Sequence, residues 1–235
     1  MILNGIPVET APLGLLATEH LAPAFRKREF GAGGKQAVFV RIYAGLSDSD
    51  PQKAGWYVLC NGRLVLGADQ TNRTGWGEEG EKIIPKYHNQ FARFRGYVFF
   101  DSDDAALLPW NTTKTGVDSD SSLFQAVRLD MISTARPVID FLNALKDEVD
   151  VEEGTVSVSE LVDTAEQVPL EDIPTSEAFV APAVATVRRA SGLAHISYRR
   201  PLAQVERAQA MLGAHTRREV GEKTFDYYYK LECDE

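Results

Sequence analysis

An Asn-Gly pair at positions 61 and 62 separates two apolar runs, Trp56–Cys60 and Arg63–Leu66. Because asparagine and glycine tolerate positive φ, this pair favours the tight turn that joins two antiparallel strands. The sequence therefore predicts a β-hairpin. Two further runs, Ala37–Tyr43 and Gly96–Phe100, are rich in β-branched and aromatic residues and predict strands of the same sheet.

One long stretch, Ser121–Lys146, has the periodicity of an amphipathic helix. Its apolar residues recur at spacings of three and four: Phe124, Val127, Met131, Ala135, Val138, Leu142 and Leu145. Pro137 lies inside the stretch and should kink or divide the helix. We also expect Leu13–Arg28 to be helical in part. Strands and helices together predict the α+β class, with a mixed sheet.

A single lysine follows the strand-like segment Arg95–Asp101, within the loop Pro109–Gly116. Lys114 has turn-forming and small polar neighbours and no acid directly beside it. A lysine on a short loop at a strand end places a point positive charge that suits a phosphate oxygen. Asn111 and Thr113 either shape this loop through side-chain to backbone hydrogen bonds or contact the phosphate themselves.

The hairpin and the lysine loop together resemble the transducer domain of the GHKL ATPases, the group of gyrase B, MutL and the MORC proteins. The likeness is greatest to bacterial ATP-binding proteins of the MORC-like arrangement, and it covers roughly Gly5–Leu145. It implies a transducer fold with a left-handed βαβ crossover. It also implies that Lys114 reaches the γ-phosphate of ATP, as the catalytic residue, with Thr113 and Asn111 as further candidate cofactor-binding residues.

The same resemblance implies that ATP and magnesium are bound only together with an upstream ATP-binding module. The motifs of that module, an acidic residue plus asparagine on a helix and Gly-rich lid segments, are not found here. Glu160–Asp163 echoes the helix motif but lacks the asparagine that would hold magnesium. We therefore expect an upstream or separate ATPase module as partner, and no ATPase activity from this chain alone.

Composition changes mark three regions. Residues 1–146 form the predicted transducer-like domain. Residues 147–187 contain no lysine or arginine but many acids, which favours a flexible acidic linker. Residues 188–235 read as a small unit of strand, helix and helix: Ala194–Tyr198, a helix from Leu202 to Gly213, and Arg217–Leu231.

This last unit supports a second hypothesis, a non-enzymatic interaction or DNA-binding protein. Strand, helix and helix at this length resemble a ribbon–helix–helix subunit, which forms a homodimer and places its strands in the DNA major groove. Four arginines flank the predicted strand: Arg188, Arg189, Arg199 and Arg200. A third hypothesis is a truncated gene product without an independent role.

A second basic cluster lies before the strand Gly96–Phe100. His88, Arg93 and Arg95 alternate there with Tyr87, Phe91 and Phe94. Basic and aromatic residues in this pattern bind single-stranded nucleic acid, or they form a half-buried helix flank. The sequence leaves both readings open.

Charge and composition exclude several classes of partner. The net charge of −9 argues against a surface that binds nucleic acid or anionic membrane as a whole. No apolar run approaches the ~20 residues that span a bilayer, and the N-terminus lacks the pattern of a signal peptide. Two cysteines, Cys60 and Cys233, do not make a disulfide framework, so we expect a cytoplasmic protein with no membrane partner.

Overall fold

The computed structural model of the chain describes residues 2–3, 6–7, 13–31, 36–77, 84–148, 157–174, 176–184, 200–214 and 216–233. The chain divides into two compact units, Met1–Val187 and Arg188–Glu235.

Five strands of the first unit form its main sheet. Three short strands precede them: β1 (Ile2–Leu3), β2 (Ile6–Pro7) and β3 (Gly14–Leu16). The main strands are β4 (Ala24–Phe30), β5 (Val38–Leu46), β6 (Gly55–Cys60), β7 (Arg63–Asp69) and β8 (Phe94–Asp101).

The spatial order of the main sheet is β4-β5-β8-β6-β7. Strands β6 and β8 are parallel, and every other neighbouring pair is antiparallel. The predicted α+β class with a mixed sheet is thus confirmed. The two parallel strands are connected through β7 and, in the described part of the connection, two 3₁₀ turns at Asn72–Thr74 and Asn89–Phe91.

The predicted hairpin is confirmed as β6 and β7. Its turn residues Asn61 and Gly62 have φ angles of 45° and 75°. The Asn61 side chain also fixes the turn against the end of β8. Its amide donates to the carbonyl of Ser102 and its oxygen accepts from the Ser102 N–H, both at 2.9 Å.

One face of the sheet packs against helix α1 (Ser122–Lys146), which forms as predicted. The Ser121 side chain caps it by accepting from the Phe124 N–H. The helix is continuous through Pro137, so of the two predicted outcomes, a kink or a division, the division is wrong. Pro137 lies on the exposed side of the helix, where the carbonyl that loses its N–H partner can be hydrated.

The prediction of partial helix over Leu13–Arg28 is also wrong, because β3 and β4 occupy this stretch. Strand β4 pairs along its whole length with β5, from Ala24 opposite Ala44 to Phe30 opposite Val38. Two of its arginines point toward α1 and bind Asp130 there. Long-range pairing thus overrides the local pattern.

The second face of the sheet is partly covered by an antiparallel pair, β3 with β9 (Gln167–Pro169). Leu15, Leu170 and Ile173 pack there with Tyr43 and Tyr97 of the main sheet. Strand β9 and helix α2 (Val158–Asp163) both come from the stretch expected to be a flexible acidic linker. The described part of that stretch differs from the expectation because four of its apolar residues are buried in the first unit: Val158, Val162, Leu170 and Ile173.

A carboxylate just after α1 binds the first turn of α2. Glu148 accepts hydrogen bonds from the backbone N–H groups of Val158 and Ser159, at 2.6 and 3.0 Å. Burial tends to raise the pKa of Glu148, but the hydrogen bonds from Ser159 and Val158 outweigh it, so the pKa of this carboxyl is lowered. At least one acid of this stretch, Glu148, therefore stabilises the fold through hydrogen bonds.

The second unit contains two helices, α3 (Leu202–Leu212) and α4 (Arg217–Glu232), close to the predicted bounds. Gly213 ends α3 in the left-handed conformation with φ of 57°, and Thr216 with Glu219 forms a capping box at the start of α4. The strand predicted at Ala194–Tyr198 lies outside the described residues. No described helix is long and apolar enough to cross a membrane.

Candidate functional site

The lysine loop lies between the last strand of the main sheet and α1. After β8, a 3₁₀ turn at Ala105–Leu107 leads to an isolated antiparallel bridge between Trp110 and Val117. That bridge closes a loop of six residues, 111–116, whose tip carries Lys114. Both ends of the loop are thereby anchored to ordered elements, β8 on one side and the start of α1 on the other.

Asn111 organises the loop. Its N–H donates to the Gly116 carbonyl at 2.9 Å, and its own carbonyl accepts from the Lys114 N–H at 2.8 Å. Its side-chain oxygen accepts from the Thr115 N–H at 2.9 Å and from the Thr113 hydroxyl at 3.0 Å. The Thr113 hydroxyl also contacts the Thr115 hydroxyl at 2.8 Å. Asn111 and Thr113 thus act mainly as scaffold.

Lys114 has an unusual backbone conformation. Its φ is 54°, in the left-handed region, where a side chain with a Cβ is disfavoured relative to glycine. Such strain persists only where surrounding contacts impose it, here the Asn111 hydrogen bonds. The lysine side chain is exposed as a result.

The Lys114 amino group rests on an aromatic ring. Its Nζ atom lies 4.6 Å from the ring centroid of Trp110. The Trp110 indole is fixed by its N–H, which donates to the Ala105 carbonyl at 3.0 Å. A cation–π contact at an exposed site contributes about 0.5–1 kcal/mol, little enough for a charged ligand to displace it. Among the described residues, no carboxylate forms an ion pair with Lys114.

Trp110 is the member of this site that sequence reasoning missed as a contact of the lysine. The signal was present, because a tryptophan four residues before a lysine across a tight turn can bring ring and amine together. The three predicted site residues, Lys114, Thr113 and Asn111, do lie in one loop.

Two depressions on the described surface are lined by acidic side chains. One, of about 440 Å³, is lined by Asn61, Asp101 and Asp103 with Ala37, Phe39 and Ser102. The other, of about 420 Å³ in the second unit, is lined by Glu206, Gln209, Ala210, Gly213 and Ala214. Both have acids and lack lysine or arginine, so their charge disfavours phosphate. The described residues also form no cluster of His, Cys, Asp or Glu side chains able to hold a metal ion.

The basic and aromatic cluster that leads into β8 and includes its first two residues is not an exposed binding surface. Phe91 and Phe94 belong to the core, and the Arg95 side chain is only 4% exposed. Arg95 donates to the carbonyls of Phe94 and Ala92, at 3.0 and 3.3 Å. Burial lowers the pKa of this arginine. Arg93 is paired with Asp163 of α2. The nucleic-acid interpretation of the cluster is therefore wrong for Arg95, Phe91 and Phe94.

Comparison with protein-family models, with curated proteins and with solved structures finds no match to this chain.

Proposed function

We propose that the chain is the transducer and C-terminal region of a GHKL-type ATP-binding protein, in which Lys114 senses the γ-phosphate of ATP. The observation that carries the proposal is the conformation of Lys114. A lysine at positive φ, on a loop held by Asn111, presents an amine that rests on Trp110 and, among the described residues, forms no ion pair. Glycine or asparagine would suit the backbone better, so a lysine at this position points to a role for its side chain.

The chemistry of the loop fits one oxygen of a phosphoryl group. Transfer or hydrolysis of a γ-phosphate builds charge on its equatorial oxygens, and a preorganised cation stabilises that charge. Exchanging the Trp110 ring for a phosphate oxygen would move the amine from a weak contact to a charge-assisted hydrogen bond. The gain favours the state in which an ATP-binding module closes on this unit.

The remaining parts of an ATP site would come from that module. Magnesium and the base that activates water need carboxylates arranged around the phosphates. The two depressions described above are lined by acids and by no lysine or arginine, which is in line with a division of labour between this chain and a partner module. The left-handed βαβ crossover of the transducer fold stays a prediction, as does DNA binding by the second unit.

The first experiment is titration of the full chain with a fluorescent ATP analogue and magnesium, beside Lys114→Ala. We expect no binding by either protein. Tight, magnesium-dependent binding by the wild type would overturn the proposal, because the chain would then hold a complete nucleotide site of its own.

The second experiment supplies the missing part, a GHKL ATP-binding module joined to the N-terminus of the chain. In the joined protein we expect Lys114→Ala to lower kcat about 100-fold with little change in KM, because the lost contact acts on charge formed in the transition state. Lys146→Ala, an exposed lysine at the end of α1, is the matched control. Equal kcat for Lys114→Ala and wild type would refute a role in sensing phosphate.

A further inference from the structure

Helix α4 presents an aromatic face that nothing described in its own unit covers. Phe225, Tyr228 and Tyr229 are 50%, 60% and 49% exposed. At 100° per residue these positions share one side of the helix with Gly221 and Glu232. The rings of Phe225 and Tyr229 stack on each other at 6.2 Å between centroids. An apolar patch of this kind on a soluble unit indicates an interaction surface.

The opposite side of α4 is the one that meets α3. Val220 is buried there, and the Lys223 amino group donates to the Leu212 carbonyl at the end of α3 at 3.2 Å. Ala214 and Val220, 8% and 7% exposed, are the buried hydrophobic residues described in this unit. The described residues of this unit thus bury few apolar side chains, and a helix pair with so few gains stability from a further apolar partner.

We propose that this partner is a second copy of the chain, and that two α4 helices pair antiparallel about a two-fold axis at Phe225. Two residues of this face are spaced symmetrically about Phe225. Gly221 and Tyr229 are each four residues from Phe225, so an antiparallel pair sets the glycine of one copy against the tyrosine of the other. Glycine inside a helix is less favourable than alanine by roughly 1 kcal/mol. The space that Gly221 leaves for the opposing Tyr229 ring explains why a glycine stands there.

The charges at the two ends of α4 agree with the same arrangement. The chain enters the helix through two arginines and leaves it through Glu232 followed by two further acids beyond Cys233. Antiparallel pairing places the first turn of each copy, with the exposed Arg217, beside the last turn of the other, with Glu232. Parallel pairing would instead set Arg217 beside Arg217 and Glu232 beside Glu232, which is unfavourable.

The two-fold pairing is also isologous and closes on itself, so it produces a dimer and no larger polymer. Phe225 meets its own copy at the centre, where aromatic anchors contribute most to affinity. This surface is separate from the lysine loop, and the inference does not rest on the proposed ATP function.

Sedimentation equilibrium of the full chain tests the dimer. We expect a concentration-dependent monomer–dimer equilibrium, which Tyr228→Lys weakens about 30-fold or more, as loss of an interface anchor does. Met211→Lys is the control in the same unit, because Met211 is 81% exposed on α3; we expect it to change the dissociation constant less than about threefold. A wild type that stays monomeric at its highest soluble concentration would overturn the proposal.

Gly221→Leu tests the interface without disrupting the helix. Leucine favours the helical backbone over glycine, so helicity by circular dichroism should be kept or raised. The added side chain would collide with Tyr229 of the second copy and weaken the dimer about tenfold. A dimer strengthened by Gly221→Leu would contradict the arrangement.

Disulfide trapping tests the direction of pairing. Cys60 is buried, so Cys233 is the thiol available for oxidation. In the antiparallel pair the two Cys233 residues are about 24 Å apart along the axis, too far to join. Phe225→Cys in a Cys233→Ser background should cross-link, whereas the wild type should not. Cross-linking of the wild type through Cys233 would show parallel pairing and refute the two-fold at Phe225.

Discussion

Asp130, in the middle of α1, accepts two hydrogen bonds from the guanidinium group of Arg28 on the edge strand β4, at 3.0 and 3.1 Å. Arg26, two residues earlier on the same strand, adds a third at 2.6 Å. One carboxylate thus ties the edge of the sheet to the helix that covers it. Burial alone would raise the pKa of Asp130, but the hydrogen bonds from Arg28 and Arg26 lower it.

We expect Asp130→Ala to reduce the free energy of unfolding by about 1 kcal/mol, a value discounted because both arginines are partly exposed. A folded-state pKa below the unfolded value stabilises the protein above about pH 4 and loses that effect as pH falls through the folded pKa. Urea denaturation at pH 7 and near pH 3 checks this. Exposed Asp140→Ala is the control, and a difference from wild type that persists undiminished in acid would contradict the prediction.

Gly96→Ala should destabilise the first unit strongly. A Cβ atom at this position would lie 2.2 Å from Cε3 of the fully buried Trp56, which pairs with Gly96 across the parallel strands. Overpacking of this kind reduces the free energy of unfolding by about 3 kcal/mol. Gly67→Ala is the matched control, because its nearest contact would be an ordinary 3.5 Å. Similar melting temperatures for the two variants would disprove the steric account.

Asn111→Ala should loosen the lysine loop without unfolding the unit. The Thr115 amide loses its acceptor, so its hydrogen exchange, followed by NMR, should accelerate about fivefold. Asn111→Asp keeps an oxygen in the same place and should leave that exchange rate close to the wild-type value. If both variants exchange alike, the Asn111 side chain does not hold the loop.

Lys114→Gly should be more stable than Lys114→Ala by about 1 kcal/mol, because glycine adopts positive φ without the steric penalty of a Cβ. Both variants lose the amine, so the difference between them measures the effect of the backbone conformation on stability. Thermal denaturation measures it. Equal stability would mean that the backbone at position 114 is not held in the left-handed region.

The unfolding free energy should fall as pH rises above about 9. Burial, with the charge of Asp101, raises the pKa of Cys60 to about 12, and burial likewise raises the pKa of Tyr97 to about 12. Their unfolded values are about 8.5 and 10, so each group stabilises the fold fully below its unfolded pKa and loses that effect on the way to 12.

Denaturation across pH 8–12 measures the slope, which reaches about 1.4 kcal/mol per pH unit for each group. Tyr97→Phe should remove the part of the decline that begins near pH 10. Tyr227→Phe, at an exposed position of α4, should not change it. If the unfolding free energy falls equally steeply in both variants, titration of Tyr97 is not the cause of the decline.

Local signals were sufficient for the hairpin, α1, α3 and α4. Asn61-Gly62 carries its own turn preference, and the spacing of apolar residues in α1 is regular enough to fix its face. The same holds for the lysine loop, whose turn-forming residues place Lys114 at the tip.

The missed elements depend on partners far along the chain. Strand β4 reads Ala-Phe-Arg-Lys-Arg-Glu-Phe, which shows no alternation of apolar and polar residues. It is a strand because β5 pairs with it and Asp130, about one hundred residues later, neutralises its arginines. Strand β9 is three residues long within an acidic stretch, and only its pairing with β3 defines it. No local window contains that information.

The pairing of β3 with β9 also has a consequence for synthesis of the chain. Gly14 emerges early, but its partner Pro169 follows about 150 residues later. At roughly 5–20 residues per second, translation takes several seconds to pass from the end of β8 to β9. During that interval Tyr43 and Tyr97 lack the cover that Leu170 and Ile173 provide on the second face of the sheet. A nascent chain that stalls after α1 therefore displays a tyrosine-lined surface that chaperones can bind.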